Sequence, residues 1–309
     1  MAYASYNVSN AQEIVEAMVE FANDLAGWTA SLSGSVATLT APGKVRSFTA
    51  TAAGSGLVTS ITLGLTGGTT PTGYEPSVTI FQPVTSGLLQ PGGGPPSRVE
   101  FFGRSDAEPF IVAAVECYPG SYKHLYVGYL EKLGVFDGGE IVAGCRDSND
   151  IDLAHYYEDY TGYATPSLFE YPTPIGIRIT NNCGGINLNG EWGRFLRNTS
   201  TQRFIEGGPR SRAMLAPLTA VNAFSGYSPF NPIQLFYGSQ SQTDDYWIPI
   251  GTPAGVRAAS LQNFAPGQLV TLPDGSEWRV YPCRRKGPNT TTGNVETSGI
   301  YGYAFLVND

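Results

Sequence analysis

The sequence predicts a mainly β fold with a minor α+β part. An N-terminal helix packs on a small antiparallel sheet, and a β-rich antiparallel meander or sandwich with long loops follows. Three observations carry this expectation. A single segment repeats its apolar residues with a helical period. Elsewhere apolar residues alternate, or form short continuous runs between Gly and Pro. Finally, the 309 residues include 38 Gly and 22 Pro, with only 14% charged, against roughly 25% charged in an average soluble domain. Turns are therefore dense and the surface is polar without being highly charged.

The helix is expected from Asn10 to about Ala26. Ser9 or Asn10 can cap it, with Gln12 or Glu13 as the reciprocal partner. Ile14, Met18, Phe21, Ala22 and Leu25 share one face, and Gly27 stops the helix. Trp28 is expected to fold back on it. Residues 29–39, 45–52 and 57–65 then read as strands rich in Thr, Ser, Val and Leu. Residues 69–97, with Gly-Gly-Gly-Pro-Pro at 92–96, read as a long surface loop or arm. In the middle, 110–117 is a near-continuous apolar run, Pro119-Gly120 a turn, and 122–130 a strand pairing back on the first. Another turn at Asp137-Gly138-Gly139 leads to a strand at 140–145, and 175–179 reads as a short strand. Residues 183–217 look irregular. At the C-terminal end, 268–272, the turn Pro273-Asp274-Gly275 and 277–284 form a hairpin, with a last strand at 298–307. This divides the chain into a helix-plus-sheet module (1–68), the loop or arm (69–97) and a β-rich domain (98–309).

Composition narrows the function. Net charge is −8 and the pI about 4.8, so no general nucleic-acid binder is expected. No apolar run approaches a membrane span, and MAYASYNVSN carries no basic residue of a secretion signal. Synthesis in a cytosol is the expectation. The 4 Cys lie far apart without a CxxC pair and read as reduced thiols, and there are only 2 His.

Catalytic signatures are scarce. Gly226-Tyr227-Ser228-Pro229-Phe230 fails the nucleophile-elbow pattern at its last position, and Gly43-Lys44 is followed by Val45, not by the hydroxyl of a phosphate loop. Cys117, His124, Cys145 and His155 match no zinc spacing, and His124 reads as a hydrogen-bonded structural histidine. Asp147-Ser148-Asn149-Asp150-Ile151-Asp152 has the alternating oxygens of a calcium loop. It lacks the Gly and the distal Glu, so a solvated turn is the better account. No pair of carboxylates is nominated for glycoside cleavage. The expectation is a chain that is not an enzyme and holds no cofactor or metal.

Two features stand above this background. From residue 137 to 170 there are eight acids and one Arg, and from 194 to 212 five Arg and one Glu. Such segregation suits patches that meet between subunits, and Arg forks suit polar interfaces. Tyr and Trp also crowd two Gly/Pro-containing stretches, which favours interfaces. The candidate subunit-interface residues are Arg194, Arg197, Arg203, Arg210 and Arg212 on one side. On the other stand Asp147, Asp150, Asp152, Glu158 and Asp159, with Tyr156, Tyr157 and Tyr160.

Three stretches resemble virion structural proteins of tailed bacteriophages and prophages. They are the N-terminal helix running into Ala26-Gly27-Trp28-Thr29, the block 116–132 (ECYPGSYKHLYVGYLEK), and the ending 272–285 (LPDGSEWRVYPCRR) followed by 298–305. The resemblance brings no catalytic motif. It implies a non-enzymatic tail, neck, collar or baseplate component, made in the bacterial host cytoplasm and located in the virion. Its partners would be itself, as a ring of six-fold character, and other tail, neck or baseplate proteins, with no membrane or sequence-specific nucleic acid. The alternatives are a baseplate, tail-tip or receptor- or glycan-binding tail protein, and a virion-associated hydrolase.

Overall fold

The computed structural model describes residues 1–55, 58–66, 77–81, 95–144, 172–173, 176–177, 184–188, 191–194, 230–240, 245–282, 286 and 301–309. The N-terminal elements are β1 (Ala2–Asn7), α1 (Ala11–Asp24), β2 (Thr29–Ser33), β3 (Val36–Thr40), β4 (Ser47–Ser55), β5 (Val58–Leu65) and β6 (Ser77–Phe81). Next come β7 (Arg98–Arg104), β8 (Phe110–Tyr118), β9 (Ser121–Lys132), β10 (Gly138–Gly144), β11 (Pro172–Thr173), β12 (Gly176–Ile177), β13 (Gly184–Leu188) and β14 (Glu191–Arg194). The rest are β15 (Asn231–Pro232), β16 (Leu235–Gln240), β17 (Asp245–Pro253), β18 (Val256–Ser260), β19 (Gln268–Thr271), β20 (Glu277–Pro282) and β21 (Tyr301–Asn308).

The fold is mainly β, with its helix against antiparallel sheets, as the sequence predicts. Asn10 caps α1, its Oδ1 accepting from the Glu13 N–H at 2.9 Å. The Glu13 carboxylate in turn accepts from the Ser9 N–H at 2.7 Å. The Ser9 N–H, with the Ser9 hydroxyl and the Asn10 side-chain amide, holds the Glu13 carboxyl below its ordinary value. The Asn10 side chain thus satisfies one of the first-turn donors that a helix leaves open, and Glu13 reaches back to the residue before the cap. The face carrying Ile14, Val15, Met18, Phe21 and Ala22 is buried.

Among the described residues, three large sheets surround two cores, and β11 and β12 pair as a separate two-stranded ladder. The central sheet has the order β1-β7-β8-β9-β10-β13-β14, with β17 pairing the end of β9 and β16 pairing β17. A meander β2-β3-β4-β5-β6 lies with α1 on one face, and a sheet β15-β18-β21-β20-β19 on the other. Alternate residues of the central strands enter opposite cores. Ile111, Ala113, Val115, Leu125 and Val127 join the helix side. Phe110, Val112, Ala114, Tyr126 and Leu130 join the C-terminal sheet. A strand covered on both faces must be apolar at successive positions. This is why 110–117 reads as a continuous run, and why the first ten residues of β9 are all buried.

Four segments depart from the sequence reading. Residues 2–7 form β1, which pairs with β7 across more than ninety residues of chain. Residues 77–81, inside the expected loop, add a fifth strand to the meander. Residues 184–188 and 191–194, expected to be irregular, pair as β13 and β14. The stretch 231–260 supplies β15–β18. In each case a weakly alternating or Gly-rich segment is made a strand by a neighbour's open edge. Trp28 does pack in the helix-side core. Its indole N–H, however, reaches past the helix to the Arg104 carbonyl at 3.0 Å, tying the module to the central sheet.

Candidate functional site

Of the candidate interface residues, Arg194 ends β14, opposite Gly185. Arg197, Arg203, Arg210, Arg212, Asp147, Asp150, Asp152, Tyr156, Tyr157, Glu158, Asp159 and Tyr160 lie outside the described residues, as do Cys145 and His155. Cys117 and His124 belong to opposite faces of the central sheet. Cys117 lies in the helix-side core, and His124 meets Tyr303 and Phe305 on the other side. They cannot share an ion. Among the described residues no group of three His, Cys, Asp or Glu is placed to hold a metal.

His124 is fully buried. Its Nε2 lies 2.9 Å from the Pro282 carbonyl. Burial is the main cause that pushes its pKa down to about 4, against the opposing pull of that hydrogen bond. The imidazole is therefore neutral at pH 7 and bridges β9 to β20. This is a structural role and not that of a base.

Two ionic hubs lie where the sheets meet. The first is Glu100 on β7, which is 3% exposed. Its Oε2 accepts from the Tyr3 hydroxyl at 2.7 Å and the Tyr281 hydroxyl at 2.8 Å. Arg98 lies 3.2 Å from Oε1 and Arg279 3.8 Å from Oε2. Strands β1, β7 and β20, from three parts of the chain, thus converge on one carboxylate. Burial, then the Glu100 charge, drives the Tyr281 phenol well above its ordinary pKa. It stays protonated and donates.

The second hub is Arg104 at the end of β7, whose side chain is 10% exposed and lies 3.5 Å from Asp309 and 3.8 Å from Glu131. Glu131 also faces Arg257 at 3.6 Å and accepts from the Thr252 hydroxyl at 3.0 Å. Beside it opens a cleft of about 380 Å³ lined by Glu108, Glu131, Lys132, Gln234, Thr252 and Arg257. Both Glu131 oxygens are engaged by cations or a hydroxyl. The arrangement clamps β7, β9, β17 and β18 together.

The surface offers a different feature. Val45, in the turn between β3 and β4, is 98% exposed; Leu133 and Val135, in the turn between β9 and β10, are 56% and 106% exposed. The β3–β4 turn packs on the β9–β10 ladder. Lys44 lies over the Tyr129 ring of β9 at 4.5 Å, and Arg46 pairs with Glu140 of β10 at 3.8 Å. Tyr129 and Glu140 are directly opposite each other in the β9–β10 ladder. Lys132 donates to the Phe136 carbonyl at 2.8 Å. Each turn thus carries bare aliphatic side chains next to a cation. The sequence reading began a strand at Val45, whereas β4 begins at Ser47 and Val45 stays in the turn, because residue type alone does not tell a strand-initiating Val from an exposed one.

The chain matches no protein-family model, and no curated protein matches it.

Proposed function

We propose that the chain is a non-enzymatic structural component of a tailed-phage virion. It assembles as a symmetric ring in the tail or head-to-tail neck and bridges neighbouring virion proteins. The observation that carries this reading is the exposure of Val45, Leu133 and Val135 on turns of a scaffold whose central strands are buried on both faces. Apolar side chains held in water on rigid turns suit docking to a neighbour. The resemblance of three stretches to phage virion proteins supplies the kind of particle, and the segregated charges at 137–170 and 194–212 suit contacts between copies.

Mass spectrometry of purified particles with cross-linking tests the reading. The expected result is a fixed copy number in a multiple of six, cross-linked to connector or tail-terminator proteins. Cross-links to hub or fibre proteins would move the chain to the baseplate. Absence from particles would end the reading.

A further inference from the structure

We infer that the open edge of β1 is a docking site for a basic extended segment of a partner protein. The segment adds to the central sheet as a further strand, with Lys or Arg at alternate positions toward α1. This surface is assigned independently of the virion reading.

The edge itself is the first argument. β1 pairs with β7 at all six of its residues without a bulge. Among the described residues no strand pairs its outer side. Tyr3, Ser5 and Asn7 are exposed, and no residue of the strand is buried. An open edge carries unpaired N–H and C=O groups, which proteins usually blunt with charge, Pro or a bulge. The strand AYASYN has neither charge nor Pro. The outermost strand β2 is handled otherwise, since Asn23 of α1 takes both backbone groups of Ala30.

The strand is also fixed on both faces before a partner arrives. On one face the Tyr3 hydroxyl donates to Glu100 at 2.7 Å, and the Arg279 guanidinium lies 4.5 Å from the centre of the Tyr3 ring. On the other the Tyr6 ring meets Phe101 edge-on at 5.9 Å. A rigid template loses little entropy on binding, and main-chain hydrogen bonds to an added strand supply affinity.

Charge selects the partner. α1 lies over β7 beside β1: Phe21 stacks on Phe101, and Phe21 and Leu25 crowd Gly103, which stands opposite Ala2. By helical spacing Glu20 and Asp24 fall on the flank next to Phe21, away from Gln12 and Asn23, which reach toward β2. Both acids are exposed, and neither pairs with a cation among the described residues. They stand four residues apart with Asp24 in the last turn, where like charge and the helix dipole are both unfavourable. After burial, their charges push the Tyr6 phenol up, so they act on β1. A cation on the added strand relieves this repulsion and a carboxylate adds to it. The β1 strand of a second copy brings no charge and leaves the repulsion in place, which makes it the weaker occupant.

The test uses the full chain and a fluorescein-labelled peptide of alternating Lys and Thr, read by fluorescence anisotropy and by hydrogen exchange of the chain's backbone amides. Saturable binding is expected, with slowed exchange in residues 2–7. Glu20→Lys with Asp24→Lys should weaken it about tenfold. Both positions are exposed, and Lys in the last turn suits the helix dipole, so circular dichroism of the variant should match the wild type. A peptide with Glu in place of Lys should not bind. Neither should a fully N-methylated Lys-Thr peptide, which keeps its charge and loses its backbone donors. Equal binding of the N-methylated peptide would overturn the assignment by reducing it to charge attraction. No binding, binding that the double variant leaves unchanged, or protection confined to residues outside 2–7 would overturn it as well. A chain that sediments as a dimer without peptide, with exchange in 2–7 already slowed, would overturn it in favour of a second copy.

Discussion

The side-chain amide of Asn23 holds both backbone groups of Ala30. Its Oδ1 accepts from the Ala30 N–H at 2.8 Å, and its Nδ2 donates to the Ala30 carbonyl at 3.2 Å. Asn23 sits near the end of α1, and Ala30 lies in β2, an outermost strand of the meander. The amide stands where the next strand's backbone would be. Gln12 from the first turn of the helix does the same for the Gly34 carbonyl at 3.2 Å. The helix thus blunts an uncharged edge strand that would otherwise invite pairing with another chain.

Asn23→Ala should therefore have two effects. Loss of a partly exposed pair of hydrogen bonds should cost about 1 kcal/mol in urea unfolding. The uncovered edge should also raise concentration-dependent association, read by light scattering. Asn23→Asp keeps the acceptor, loses the donor and should fall between the two. An unchanged association profile for the Ala variant would show that the edge is protected by other means.

Glu100 should be the costliest polar position. Glu100→Ala leaves Arg98, Arg279 and two tyrosine hydroxyls without their common acceptor. Breaking a buried ion pair by removing one partner costs about 3–5 kcal/mol. Glu100→Gln keeps an acceptor for one hydroxyl and should cost less. Chemical denaturation checks both, and a Glu100→Ala chain as stable as the wild type would contradict the hub.

His124 makes stability depend on pH. Its folded pKa of about 4 lies below the ordinary 6.5. Between these values the unfolded chain binds more protons than the folded one, so stability falls as the pH falls. The contribution is complete above about pH 6.5 and is lost progressively toward pH 4. It is worth about 3 kcal/mol over that window. Urea midpoints of wild type and His124→Gln at pH 7 and pH 4.5 check this, and the wild type should lose more stability than the variant. Equal losses would assign the acid sensitivity to carboxylates alone.

Two glycines should respond differently to Ala although both have positive φ. Gly120, φ 75°, has open space around its missing Cβ. Only the backbone strain is incurred, about 1 kcal/mol. Gly255, φ 69°, lies between β17 and β18, and its Cβ would fall within the Phe110 ring, which stacks on Tyr126. Gly255→Ala should cost about 3 kcal/mol or more, or abolish folding, because strain and overpacking add. Similar costs at the two sites would mean that Phe110 can move aside.

What could be read from the chain without its fold was whatever depends on near neighbours. The cap at Asn10 and Glu13, the apolar face of α1, the hairpin around Pro273-Asp274-Gly275 and the apolar run 110–117 are all written within a few residues of each other, whereas the burial of both faces of 121–130 is set by the sheets that cover it. His124 was legible as a structural residue for the same reason, since its strand neighbours are apolar and aromatic. The polar alternation of 2–7 gave no such signal, because a half-buried edge strand has little propensity of its own and becomes a strand only when β7 offers its edge. The convergence of Tyr3, Glu100 and Tyr281, and of Arg104, Glu131, Arg257 and Asp309, joins positions as far apart in the chain as Tyr3 and Tyr281. Their pairing follows from which sheet faces pack together. Whether Val45 and Val135 lie in a core or in water is likewise invisible in the residue type. Burial belongs to the assembled layers, and on these two turns no layer covers them.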